Sequence, residues 1–162
     1  MSISINDFKS SYIIGIGGSG MSSIAKYLFQ KGLKVAGYDQ RSSYVTNLLN
    51  NDGINVDFDM SKATYSKETL YIVSSAIDMK STSLSSFVNQ PNVLTRPNFL
   101  KLLSESVDVI GITGTHGKTS TSALLAHIFK FNDIDISYIY GGVTSFNGIG
   151  GHYGDKNLPL IL

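Results

Sequence analysis

The sequence predicts an α/β protein built around a mostly parallel sheet. Short apolar runs alternate along the chain with segments whose apolar residues recur every three or four positions, the pattern of strands alternating with amphipathic helices. Two glycine-rich loops, over residues 15–20 and 114–119, each follow a predicted strand and precede a predicted helix. Parallel α/β sheets bind ligands at the carboxyl ends of their strands, so both loops lie where a site is expected.

The elements up to Glu105 form the first predicted unit. Its predicted strands are short apolar runs that cover residues 11–16, 33–38, 54–58, 70–74 and 92–95. One helix is predicted from Met21 to the stop signal at Lys31-Gly32. The other predicted helices cover residues 43–51, 81–89 and 97–105, of which the pattern over 81–89 is weak.

The second predicted unit covers residues 106–162, so the predicted domain boundary separates it from residues 1–105. Its strands are predicted at residues 107–113, 135–140 and 158–162, with one helix from the second loop to about Phe131 and a glycine-rich stretch over 141–154. Three strands and one helix are few for such a sheet. We therefore expect this unit to be the truncated beginning of a larger domain, and its last strand to lack neighbours.

The composition excludes several classes of protein. Of the 162 residues, 42% are hydrophobic and 15% charged, which argues against intrinsic disorder. The formal net charge of +1 predicts no nucleic-acid partner, and the lack of Cys excludes disulfide scaffolds and thiol nucleophiles. No apolar stretch approaches the ~20 residues of a membrane span, and the N-terminal MSISINDFKSS lacks the pattern of a signal peptide. We expect a cytoplasmic protein without membrane insertion, and nothing in the sequence predicts a protein partner.

The first glycine loop reads GIGGSG and fits the dinucleotide-binding pattern G-x-G-x-x-G. In this pattern Gly15 permits a tight turn, Gly17 lets backbone N–H groups approach a diphosphate, and Gly20 allows close packing of helix on strand. Asp39 ends the second predicted strand, where an acid would hold a ribose hydroxyl in dehydrogenases. The pattern predicts a diphosphate site without separating NAD, FAD and a UDP-sugar. A tight turn without a ligand is the alternative.

The second glycine loop reads GTHGKT and is a variant of the P-loop. Its backbone amides are expected to cradle phosphates, with Lys118 reaching the β and γ phosphates and the Thr119 hydroxyl binding Mg²⁺. The usual first glycine is one residue out of register, since Gly111 precedes Ile112 at the expected position. His116 either touches a phosphate or acts as a spacer. The pattern predicts a nucleoside triphosphate site, with a fortuitous turn as the alternative.

The two loops together resemble the Mur ligase family of peptidoglycan synthesis. The similar segments are IGIGGSGMSSIA (14–25), GYDQRSS (37–43), SSAI (74–77), Arg96, GITGTHGKTSTSALL (111–125) and Gly141-Gly142. The resemblance implies a Rossmann-like, UDP-sugar-binding N-terminal domain followed by the start of a P-loop ATPase domain. It implies an ATP- and Mg²⁺-dependent ligation of L-alanine to UDP-N-acetylmuramate through an acyl phosphate.

The resemblance also assigns site residues. It implies that the UDP diphosphate is cradled by Gly15, Gly17, Gly18, Ser19 and Gly20. It implies that Asp39 lies near uridine, and that Ser74 and Ser75 line the same pocket. It implies that ATP is bound by Gly114, Thr115, His116, Gly117, Lys118, Thr119 and Ser120. Lys118 would act catalytically on the γ phosphate and Thr119 would be the Mg²⁺ ligand.

Several positions depart from the family pattern. Asp57-Phe58-Asp59 replaces a Gly-His pair, Asp78-Met79-Lys80 replaces an Asn-Pro-Glu segment, and Asn98 replaces a Glu. The family continues beyond the strand at 158–162 into an acidic segment, so residues 1–162 alone are expected not to ligate. Three alternatives stay open: a UDP-N-acetylmuramate-binding module without catalysis, the related tripeptide ligase of muropeptide recycling, and a nicotinamide oxidoreductase.

Overall fold

A computed structural model describes residues 3–78 and 82–162, and its first sheet has five parallel strands. In chain order these strands are β1 (Ser10–Ile14), β2 (Lys34–Tyr38), β3 (Asn55–Asp57), β4 (Thr69–Val73) and β5 (Val93–Thr95). They lie side by side in the order β3-β2-β1-β4-β5, every pair parallel. The predicted α/β fold with a parallel N-terminal sheet is confirmed.

Three helices connect and flank these strands: α1 (Ser19–Gln30), α2 (Tyr44–Asn51) and α3 (Arg96–Ser104). Ser43 caps α2 by accepting a hydrogen bond from the Thr46 amide, which fixes where that helix begins. Short 3-10 helices occupy Ile5–Asp7, Met60–Lys62 and Thr82–Phe87. The last replaces the α-helix predicted over 81–89. Residue 81 lies outside the described residues, as do Met79 and Lys80 of the departing segment and the first two residues of the N-terminus.

The second sheet has four strands: β6 (Val109–Ile110), β7 (Ser137–Thr144), β8 (Gly148–His152) and β9 (Leu160–Ile161). Their order is β6-β9-β7-β8, and helix α4 (Lys118–Phe131) follows β6. β9 pairs in parallel with both β6 and β7, so the expectation that the last strand lacks neighbours is wrong. The chain returns between two strands formed earlier, an arrangement that a linear reading of the sequence does not reveal.

Strand β8 lies within the stretch that the sequence marks only as glycine-rich. It pairs antiparallel with β7. Its glycines weaken the strand pattern, but one of them has a steric reason: a Cβ on Gly151 would overlap the carbonyl oxygen of Ser23 in α1. Glycine thus lets the β7–β8 hairpin approach the helix backbone.

Helix α1 joins the two sheets through one apolar core. Ile24 and Leu28 of α1 are buried in the same cluster as Ile13 of β1, Ile139 of β7 and Ile149 of β8. The predicted boundary near Glu105 falls between α3 and β6, yet the apolar packing continues across it; the division into two domains stays a prediction. Within the described ranges, no helix has the length and hydropathy needed to cross a membrane.

Candidate functional site

The first glycine loop lies at the carboxyl end of β1. Gly15 has a φ of +81°, which favours glycine, and its amide donates to the Tyr38 carbonyl at 2.8 Å. A Cβ on Gly15 would come within 2.8 Å of the Ser74 Cβ, so the residue after β4 packs directly on the loop. Ser75, the next residue, is exposed. The structure therefore brings Ser74 to the predicted site, with Ser75 beside it at the surface.

Asp39 is bound to the loop itself. Its Oδ2 accepts a hydrogen bond of 2.8 Å from the Gly17 amide, and its Oδ1 accepts from the Arg41 amide at 3.4 Å. A Cβ on Gly17 would lie 2.8 Å from the same Oδ2 and 2.9 Å from Thr46 Cγ2. The space beside Gly17 is thus filled by Asp39 and Thr46. The motif predicts that this glycine lets a diphosphate approach, whereas in the structure its amide already has an acceptor.

The beginning of α1 presents free amides. The carbonyl oxygen of Gly18, the N-cap residue, accepts from the amides of Met21 and Ser22 at 2.9 Å. No acceptor in the described part of the chain binds the amides of Ser19 and Gly20. Gly18 and Ser19 are exposed. The loop can therefore offer two N–H groups and the positive end of a helix to an anion.

Arg96, to which the sequence motifs assign no role, lies against this helix start. It is the first residue of α3, just after β5. A Cβ built on Gly20 would lie 2.7 Å from the Arg96 Nε and 2.8 Å from Nη2. The third glycine of the motif thus makes room for a guanidinium. Arg96 is among the positions that resemble the family, but the sequence gives no sign that it lies next to Gly20.

The second glycine loop lies between β6 and α4. Gly114 and Gly117 have φ values of +151° and +80° and shape the turn, and Gly117 is the N-cap residue of α4. Residues 113–120 are all exposed, so every predicted ATP-binding residue from Gly114 to Ser120 lies at the surface. The amides of Lys118, Thr119 and Ser120 have no backbone or side-chain acceptor among residues 3–78 and 82–162. This helix start can therefore offer three N–H groups to an anion.

The side chain of Lys118 folds over its own loop. Its Nζ donates a short hydrogen bond to the Gly114 carbonyl and a second, at 3.3 Å, to the Thr115 carbonyl. The ammonium group therefore lies at the loop that the free amides of α4 also face. His116 is exposed and makes no contact that would fix its role.

The backbone at Gly141-Gly142 lies between the two loops. A Cβ on Gly141 would sit 3.5 Å from the Ser19 Oγ and 3.8 Å from the Gly20 amide nitrogen. A Cβ on Gly142 would sit 3.3 Å from Thr119 Cγ2. The register of the β7–β8 pair shifts here, which marks a bulge. One bulge of β7 thus lies beside the start of α1 and the start of α4, close enough that an added Cβ would contact each of them.

The acidic and histidine side chains do not form a metal centre at these loops. The part of the chain that is described contains no cluster of three or more His, Cys, Asp or Glu.

His152 Nε2 lies 2.6 Å from the Asp135 Oδ1. Asp135 lies just before the amino end of β7, away from the loops. Burial raises the pKa of the neighbouring Tyr138 phenol to about 12. The only oxygen that the sequence predicts for Mg²⁺ is the exposed Thr119 hydroxyl.

Known proteins resemble this chain in sequence and in fold. A ligase named UDP-N-acetylmuramate–L-alanine ligase from Porphyromonas gingivalis is 37% identical over 144 residues, covering 85% of this chain and 32% of that protein. The crystal structure of a UDP-N-acetylmuramate–alanine ligase from Thermotoga maritima has a TM-score of 0.77 and 26% identity, covering 93% of this chain and 36% of that one. The chain thus spans about a third of the length of such relatives.

A second solved structure is equally similar in shape. It is a UDP-N-acetylmuramate:L-alanyl-γ-D-glutamyl-meso-diaminopimelate ligase from Neisseria meningitides, with a TM-score of 0.77, 26% identity, and coverage of 95% of this chain and 51% of that one. The sequence profile described as "Mur ligase family, catalytic domain" matches residues 10–107. That segment holds the first glycine loop, Asp39, Ser74 and Arg96, the residues that meet around the start of α1, and because it makes up more than half of the sequence, the chain belongs to the Mur ligase family.

Proposed function

We propose that this chain is the N-terminal part of an ATP-dependent ligase that joins L-alanine to UDP-N-acetylmuramate. One observation carries the proposal: the bulge at Gly141-Gly142 lies beside both helix starts that carry free amides, so close that an added Cβ would contact them. A ligand anchored by its diphosphate at the first loop can therefore extend towards a nucleotide at the second. A dehydrogenase has no use for the second loop, and a simple ATPase has none for the first.

The first loop is the proposed UDP-sugar site. The free amides of Ser19 and Gly20 would bind the diphosphate, while Gly15 and Gly18 shape the turn that exposes them. Asp39 holds the loop through the Gly17 amide and keeps its second oxygen, which accepts only a long bond, for the uridine side. Ser74 and Ser75 would line the same pocket from the neighbouring strand.

The second loop fits a nucleoside triphosphate. Residues Gly114, Thr115, His116, Gly117, Thr119 and Ser120 would surround its phosphates, and Lys118 would exchange two carbonyl acceptors for phosphate oxygens. A single hydroxyl, that of Thr119, suits a Mg²⁺ ion held mainly by phosphates and water. When bound, ATP supplies the phosphoryl group that activates the carboxylate, and Mg²⁺ neutralises charge on its phosphates.

The residues of this chain would then position the substrates and stabilise the charge on the transferred phosphoryl group. The proposed reaction proceeds through an acyl phosphate, from which the amine of L-alanine displaces phosphate. Lys118 and the amides of α4 would stabilise charge on the transferred group, and the first loop would hold the muramate moiety in line. A cytoplasmic location belongs to the proposal, since ATP is the energy donor.

Calorimetry on the purified chain tests the binding half of the proposal. UDP-N-acetylmuramate should bind, whereas NAD should not, because the chain carries a separate loop of the ATP-binding type that a dehydrogenase does not need. Tight NAD binding without a response to the UDP-sugar would contradict the proposal. Lys130→Ala, at the far end of α4, provides a control for unspecific electrostatic binding.

The related tripeptide ligase is the second candidate, because the Neisseria meningitides structure is as similar in shape as the Thermotoga maritima one. Acceptor choice separates the two. A protein carrying this sequence should release phosphate from ATP with UDP-N-acetylmuramate and L-alanine. Phosphate release that requires UDP-N-acetylmuramate and L-alanyl-γ-D-glutamyl-meso-diaminopimelate, and does not occur with L-alanine, would favour the second candidate.

A further inference from the structure

Arg96 is a cation without a partner in the described structure. Its Nε is fully buried and has no hydrogen-bond acceptor. Within residues 3–78 and 82–162 no carboxylate forms an ion pair with its guanidinium. A buried donor on a charged group is costly to leave unpaired, and such a group calls for an explanation.

The surroundings of Arg96 add positive charge instead of supplying an anionic partner. Arg96 is the first residue of α3 and lies against Gly20, the second residue of α1. Helix starts carry partial positive charge, so two of them meet a guanidinium here. Nothing in this arrangement favours a cation unless an anion shares the space.

The free groups at this point all donate hydrogen bonds. They are the amides of Ser19 and Gly20 and the guanidinium of Arg96. A guanidinium presents a planar fork that matches the oxygens of a phosphate or carboxylate. Arg96 lies against Gly20, whose amide is one of the free donors of the first glycine loop. An anion bound at that loop would therefore lie within reach of both the amides and the guanidinium.

We propose that Arg96 is a binding residue for the diphosphate at the first glycine loop, and that Gly20 lacks a side chain so that the guanidinium can reach it. This inference rests on the proposed function, which supplies the diphosphate ligand. It gives the third glycine of the motif a purpose beyond helix packing. It also makes the site span two strands, since the cation comes from the end of β5 and the amides from the end of β1.

Calorimetric titration of the full chain with UDP and with uridine tests the contact. In Arg96→Ala the affinity for UDP should fall about tenfold or more, while that for uridine should change less than about twofold. Lys101→Ala is the matched control: it removes one positive charge from the same helix at an exposed residue that pairs only with Glu105. It should leave both affinities within about twofold of the unchanged chain.

Gly20→Ala provides an independent second arm. Its methyl group would displace the guanidinium, so UDP affinity should fall as in Arg96→Ala, and the double variant should lose little more than either single one. Arg96→Lys, which keeps the charge but not the fork, should lose less than Arg96→Ala and covers the case in which the alanine variant fails to fold.

Two outcomes overturn the inference. Equal losses of UDP and uridine binding in Arg96→Ala would make Arg96 a packing residue only, and unchanged UDP binding in the folded variant would remove its role altogether. Failure of the unchanged chain to bind UDP would instead contradict the proposed function, and the inference with it.

Discussion

The hydroxyl of Ser23 lies 2.6 Å from the carbonyl oxygen of Tyr140 and 2.9 Å from that of Ser19, and its single proton is shared between these two acceptors, of which Tyr140 is the nearer. This buried contact ties α1, which carries the first glycine loop, to the bulge of β7. The first glycine loop is thereby fixed relative to the second sheet.

Replacing Ser23 by alanine should weaken the contact between α1 and β7. The change leaves the Tyr140 carbonyl without the hydroxyl, and we expect a loss of about 1–3 kcal/mol in the free energy of unfolding. Urea unfolding followed by circular dichroism measures it. Ser104→Ala is the control, because that hydroxyl only bonds an exposed carbonyl in its own helix. Equal losses of unfolding free energy in the two variants would show that the Ser23–Tyr140 hydrogen bond contributes no more than an exposed one.

Replacing Gly17 by alanine should displace Asp39 before it affects any ligand. The new Cβ would lie 2.8 Å from Oδ2 and 2.9 Å from Thr46 Cγ2, and such overpacking costs about 1–3 kcal/mol. Gly111→Ala is the matched control, since its Cβ would meet nothing within 4 Å; it should be neutral or stabilising by about 0.4–1 kcal/mol. Thermal unfolding without ligand distinguishes them. A stable Gly17→Ala variant that only binds ligand poorly would favour direct contact with the diphosphate instead.

Replacing Lys118 by alanine should weaken ATP binding and abolish ligation but spare UDP-sugar binding. A charge-assisted contact contributes about 1.5–3 kcal/mol to ground-state binding, and more where charge develops in the transition state. Titrations with ATP and with UDP-N-acetylmuramate, and phosphate release by a protein that contains this sequence, provide the measurements. Lys130→Ala controls for the loss of charge on the same helix. Near-normal turnover in Lys118→Ala would refute the assigned role.

Alkaline pH should destabilise the fold through buried tyrosines. Burial raises the pKa of Tyr27 from 10.0 to about 12, and the same cause acts on Tyr12 and Tyr138. Below pH 10 both the folded and the unfolded chain keep these protons. Between pH 10 and about 12 only the unfolded chain releases them, so the free energy of unfolding should fall over that interval.

Tyr27→Phe should reduce that fall by about a third, because one of three such groups no longer titrates. Urea midpoints measured from pH 8 to 12 give the slope, and absorbance of tyrosinate gives the titration. Tyr44→Phe serves as the control, since Tyr44 is 70% exposed. An unchanged slope in Tyr27→Phe would mean that its phenol does not resist ionisation in the fold.

The parallel sheet and the two loops could be predicted because each depends on neighbours in the sequence. Apolar runs give strands, and a glycine between strand and helix gives a phosphate-binding turn. Contacts between distant segments could not be predicted in this way. Asp39 as the acceptor for Gly17, and Arg96 above Gly20, require the order of strands in the sheet. Strand β8 was missed because glycines that serve close packing on α1 hide the strand pattern.

The packing of α1 against both sheets fixes the gap between the two loops. Ile24 and Leu28 share one buried cluster with Ile139 and Ile149, which ties α1 to β7 and β8. Helix α4, which follows the second loop, packs on Tyr138 and Tyr140 of β7 in a second cluster, so separating the loops would expose one of these two cores. A ligand that spans both loops therefore has to match a set length between its diphosphate and its carboxylate. A nucleotide sugar with a shorter or longer acid arm would occupy the first loop yet leave its carboxylate out of reach of the second, and selection by length would need no dedicated side chain.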